Sequence, residues 1–137
     1  MSSARIPQED AAVPAVPDPA ATVLYVCVDR GTIMPRLAAQ RAVEEGQAFA
    51  QKNGLMVTEV VTDEYGEPDP CRRKGWRRVR TLAAAGEIAS VLVRWPAAIA
   101  PEALADYRHR ETRWLREHDV RVHYTWAPLA ATGGESW

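Results

Sequence analysis

Cysteine is scarce in this chain of 137 residues: Cys27 and Cys71 are its only two, and they form no CxxC pair. That excludes a disulfide framework and points to a reducing compartment. Cys27 sits in an apolar run and reads as a small buried hydrophobe, whereas Cys71 lies in a Pro/Arg-rich loop and is expected to be exposed. Net charge is also lacking, at -1, so no global field selects a nucleic acid or a membrane surface. No segment approaches the roughly 18 apolar residues that span a bilayer. The N-terminus carries Arg5, Glu9 and Asp10 with no apolar stretch after them, so no signal peptide is expected and the cytoplasm is the expected location.

The length suits one domain, and 47% hydrophobic residues can fill its core. Residues 1–20 are rich in Ala and Pro; Pro7, Pro14, Pro17 and Pro19 block helix and sheet alike, which predicts an unstructured arm. Residues 21–127 then alternate strand and helix, and 128–137 read as a flexible tail.

TVLYVCV, Thr22 to Val28, is continuous and β-branched, as a strand covered on both faces should be. Pro35 to Lys52 carries a helical apolar stripe that ends at Asn53-Gly54. MVTEVVT, Met56 to Thr62, is a second strand. A second helix is predicted over Arg72 to Ala85, and ASVLVR, Ala89 to Arg94, is a third strand. A third helix is predicted from Pro101 to His118, with Leu104, Tyr107, Glu111, Trp114 and Leu115 in period. VRVHYTW, Val120 to Trp126, alternates as a half-exposed fourth strand.

The pattern βαβαβαβ implies a three-layer α/β fold: a mainly parallel sheet of four or slightly more strands, with crossover helices on its faces. Ligands of such sheets bind beyond the carboxyl ends of the strands, where strand order reverses. That rule selects the loops Asp29 to Pro35, Asp63 to Pro70 and Trp95 to Pro101.

At these loops the chain resembles the N-terminal catalytic domain of the serine recombinases, the resolvase/invertase family. Tyr25-Val26-Cys27-Val28-Asp29 stands where the family has tyrosine-alanine-arginine-valine-serine. Gln40 matches a helix glutamine, Asp63 an aspartate ending the second strand, and Arg73-Lys74-Gly75-Trp76 the arginine and glycine step that opens the next helix. Ala85-Gly86-Glu87-Ile88-Ala89 matches the turn before the third strand.

The resemblance also implies losses. The nucleophilic serine falls on Asp29 and its partner arginine on Cys27. The family's leucine-aspartate-arginine-leucine-serine-arginine loop falls on Pro96 to Pro101, so the aspartate and both arginines become Ala97, Ala98 and Pro101. Of the implied active-site set, Arg73 and Asp63 survive. The family's dimerisation helix and helix-turn-helix domain have no counterpart in the few residues after the fourth strand, so groove reading by that route is not expected.

Cleaving a phosphodiester with a hydroxyl needs a nucleophile and cations for the charge on the phosphoryl oxygens. Asp29 would repel the phosphate, and Thr32 has no general base placed beside it. The expectation is a pseudoenzyme without a catalytic set, acting through self-association, a recombinase partner or weak DNA contact. The rival is a phosphoryl-transfer or strand-cleaving enzyme with altered chemistry at Asp29, Asp63 and Arg73.

Arg72, Arg73, Lys74, Arg77, Arg78 and Arg80 surround Trp76, with Arg73, Arg77 and Arg80 in helical period. Such a stretch can hold a phosphate backbone while Trp76 stacks on a base; the plainer reading is a solvated helix face neutralised by Asp63, Glu64, Glu67 and Asp69. Arg108, Arg110, Arg113 and Arg116 interleave with Glu111, Glu117 and Asp119, which suggests i,i+4 pairs. His109, His118 and His123 lack metal-site spacing, and a paired role for Asp29 and Asp63 as cation ligands is less favoured than a residual polar pocket. No metal and no cofactor is expected. Tyr124 and Trp126 suggest a self- or partner-contact surface if the last strand is an edge.

Overall fold

Residues 18–28, 33–64 and 66–126 are described by a computed structural model of the chain. The apolar run TVLYVCV becomes β1, Ala21–Val28, and its first six residues are buried. Pro35 opens α1, Pro35–Lys52, where its missing N–H costs no hydrogen bond. The Asn53 side chain ends α1 by donating to the Phe49 carbonyl. Then follow β2 (Met56–Glu64), α2 (Lys74–Ala84), β3 (Ser90–Val93), α3 (Ala105–Glu117) and β4 (Arg121–Tyr124).

All four strands are parallel, in the order β2-β1-β3-β4, which is the α/β sheet the alternation predicts. Successive β1 residues point to opposite faces, so β1 feeds two cores. Val23 and Tyr25 join Trp76, Val79 and Leu82 of α2 and Leu115 of α3, while Leu24 and Val26 join Ala50 of α1 and Leu92. Strand order reverses between β1 and β3, which fixes the crevice at the ends of those two strands.

Several details differ from expectation, among them β3, which is trimmed to Ser90–Val93. The segment before α2 is not helical: Pro70–Arg72 form one 3-10 turn, and Arg73 is extended at φ -95 and ψ 134, so α2 starts at Lys74. The third helix is split, with a 3-10 turn at Glu102–Leu104 before α3. β2 runs two residues further than predicted, to Glu64, and carries Asp63 within the sheet. β4 is shorter than VRVHYTW, and the strand order makes it an edge strand. Of the arm, residues 18–20 belong to the fold, because the Ala21 amide donates to Asp18 and the Met56 amide to Ala20. The rest of the arm and the tail from 127 lie outside the described residues, as do Asp29 and Thr32. Among the described residues, no helix is long and apolar enough to cross a membrane.

Candidate functional site

Tyr25, which lines the crevice, joins Asp63 and Arg73 in one hydrogen-bonded cluster. The Tyr25 hydroxyl donates to Asp63 Oδ2 at 2.7 Å and receives Arg73 Nη1 at 3.3 Å. Burial first, then the nearby Cys27 and the bond to Asp63, push the Tyr25 hydroxyl far above its ordinary pKa. It is therefore a fixed neutral donor.

Asp63 has a structural task. Its two oxygens accept the backbone N–H groups of Gly75 (2.8 Å) and Trp76 (3.0 Å). A carboxylate from β2 thus caps the first turn of α2, which has no acidic residue of its own there. The approach is close: a Cβ on Gly75 would lie 2.6–2.7 Å from the Asp63 carboxylate atoms.

Arg73 is 4% exposed. Its Nη1 donates to the Ala98 carbonyl at 2.8 Å, its Nε to Glu67 at 2.7 Å and its Nη2 to Pro68 at 3.4 Å. The guanidinium ties the loop after β2 to the loop after β3.

The other positions implied by the resemblance do not converge. Cys27 is half-buried beside Asp63 in the strand register. Gln40 is exposed on α1, donating to Glu44 at 3.2 Å. Ala97 is exposed, Ala98 buried and Pro101 half-buried. Ser90, the one serine among the described residues, starts β3 at the end of the sheet away from the crevice, with its hydroxyl 3.3 Å from His123 Nε2. Thr125 places an aliphatic hydroxyl at the crevice wall, near Arg94, but Glu45 takes the charge of that arginine at 3.0 Å. Among the described residues no cluster of His, Cys, Asp or Glu is placed to hold a metal ion.

The basic stretch does not form one surface. Arg73 precedes the helix and is buried, so the common face of Arg73, Arg77 and Arg80 is not there. Trp76 is fully buried, edge-on to Tyr25 with centroids 5.0 Å apart, and is unavailable to stack on a base. Arg72 reaches Glu67 at 3.7 Å, Arg78 pairs with Glu59 at 2.9 Å, and Arg80 pairs with Glu111 at 2.9 Å while lying over the Trp114 ring. Lys74 and Arg77 remain exposed without an ion pair among the described residues.

A second polar cluster was not expected. Glu111 stands in the apolar stripe of α3 and is fully buried. It accepts Trp76 Nε1 at 2.7 Å, Arg80 Nε at 2.9 Å, Arg110 Nε at 2.6 Å and the Cys71 thiol at 3.0 Å. Burial alone would raise its pKa, but the donors, led by Trp76, outweigh it and hold Glu111 below the ordinary carboxylate value. Cys71 is thus half-buried rather than exposed, and burial together with Glu111 pushes its thiol pKa up. The ion pairs of α3 run to Asp69, to Arg80 and to an adjacent residue, and no i,i+4 pair occurs there among the described residues.

No protein-family model matches the chain, and no curated protein does. Solved structures do. The C-terminal catalytic domain of ISC1926 TnpA, an IS607-like serine recombinase, superposes with a TM-score of 0.66 at 14% identity, over 82% of this chain and 72% of that one. The N-terminal catalytic domain of TP901-1 integrase gives 0.62 at 13% identity, over 77% and 76%. This chain has a serine recombinase catalytic-domain fold. The first reading frame of transposon ISC1904 from Sulfolobus solfataricus P2 is also similar, with a TM-score of 0.56 at 14% identity, over 78% of this chain and 68% of that one. Within this fold Tyr25 bonds to both Asp63 and Arg73, Arg73 bonds in turn to the Ala98 carbonyl, and the loop after β3 presents alanines and prolines.

Proposed function

We propose that this chain is a catalytically degenerate serine-recombinase-like domain that works as a binding or regulatory protein. It acts in the cytoplasm by self-association, by pairing with an active recombinase or by weak contact with DNA. One observation carries the reading: Arg73 and Asp63, the two active-site counterparts that survive, are engaged by backbone groups and by Tyr25. Phosphoryl transfer needs cations aimed at the reacting oxygens, and a guanidinium committed to three carbonyls supplies none. The recombinases among the similar structures support seeking the partner among DNA-rearranging enzymes.

The DNA branch rests on few charges. Among the described residues Lys74 and Arg77 are the α2 cations without an ion pair, so affinity should be low and steeply salt-dependent. Mobility shifts across a salt series test it, and an absence of binding at low salt removes this branch. Light scattering, alone and with a recombinase, tests the protein branch; a monomer at high concentration that ignores the recombinase counts against it. A supercoiled-plasmid nicking assay with divalent metals tests the pseudoenzyme itself. Nicking that disappears in Asp29→Ala overturns it.

A further inference from the structure

At the switch point between β1 and β3 the crevice narrows to a cavity of about 80 Å³. Its walls are chiefly aliphatic, with Val26 and Val28 from β1, Ala38 and Ala42 from α1, and Ala98 from the loop after β3. Among the described residues one charged side chain lines it, Arg94, and that charge is already matched. Glu45 accepts Arg94 Nε at 3.0 Å and Nη2 at 3.3 Å, and the Trp95 and Trp126 rings lie 5.2 and 4.8 Å from the guanidinium carbon. Trp126 Nε1 donates to the same Glu45 at 2.8 Å, which holds the clasp at the crevice. An incoming anion would have to displace Glu45, and an incoming cation would face Arg94. Thr125 adds a neutral hydroxyl to the wall.

We propose that this cavity is a binding site for a neutral, mainly apolar small molecule that carries one hydroxyl or ring N–H to meet Thr125. Small-molecule sites combine apolar walls with a few convergent polar groups, and they favour the switch points of parallel sheets. A cavity of about 150 Å³ encloses benzene, so this smaller one takes about four to six heavy atoms, with any larger remainder at the mouth. The site goes beyond the proposed function and does not rest on it.

The test uses the full chain with isopropanol, pyrrole and xenon as probes, read by thermal melts and by shifts of the Val26, Cys27 and Ala42 amide signals. Binding raises Tm with dose, because the probe prefers the folded state. Ala42→Leu fills the cavity from α1, Ala98→Val fills it from the opposite wall, and each should weaken binding about tenfold or more. Acetate and methylammonium, of similar size but charged, should produce no shift. Equal response of the wild type and both filled variants overturns the proposal, as does stronger binding of either ion. No DNA enters the assay, so its failure leaves the pseudoenzyme reading standing.

Discussion

Trp76 Nε1 donates to Glu111 at 2.7 Å, and both residues are wholly buried. This bond fastens α2 to α3, and Arg80 and Cys71 reinforce it from the α2 side. A buried carboxylate with this many donors is costly to remove, because each donor then loses its acceptor. Glu111→Leu should destabilise the fold by about 3–5 kcal/mol, since it leaves Arg80 and Arg110 without their buried partner. Trp76→Phe should cost less, about 1–3 kcal/mol, for one missing donor. Urea unfolding of the two variants checks the order.

The same carboxylate makes stability depend on acid. Glu111 titrates below its ordinary value of 4.5 in the folded protein, so its contribution is fully present above that pH. As pH falls through the lowered folded value, the contribution is lost. Unfolding free energy measured from pH 7 downward should therefore decline below about 4.5. Glu111→Gln should flatten that decline, while a residual slope remains from Asp69 and Glu59, whose carboxyls are also held low.

Arg73→Lys keeps the charge and loses the planar fork that reaches several acceptors at once. It should lower stability by about 2–4 kcal/mol through the carbonyls and hydroxyl left unpaired. It should leave the salt dependence of any DNA binding unchanged. Lys74→Ala and Arg77→Ala should do the reverse, with near-wild-type stability and a salt slope reduced by about one each. Melting curves beside salt-series mobility shifts separate the two classes.

Gly75→Ala inverts an ordinary rule. In a helix interior this change usually gains about 1 kcal/mol. Here the new methyl meets the Asp63 carboxylate at 2.6–2.7 Å, so the cap must shift. A loss of about 1–3 kcal/mol is expected from that overpacking. A rise in Tm would show that Asp63 does not hold the start of α2.

Local pattern was enough for the layers of this fold and not for its polar contacts. The unbroken run of β1 declared a strand covered on both sides, and alternation with helices fixed a parallel sheet. Glu111 fell in the apolar period of α3, a visible sign that it turns inward. Its partners Trp76 and Arg80 lie 35 and 31 residues away, and no local period links them. The cations of α2 were legible as charges, but Glu59 and Glu111, which neutralise two of them, come from other elements. Arg73 looked helical because the basic run is continuous. The 3-10 turn begun by Pro70 leaves it extended instead, and that places its side chain in the core.

The guanidinium of Arg73 bridges two loops that never meet in sequence, one on either side of the central strand. A residue with that duty would be retained whether or not any DNA strand is ever cut. The bonds of Arg73 in this chain thus account for it as scaffold, and its presence alone says little about cleavage.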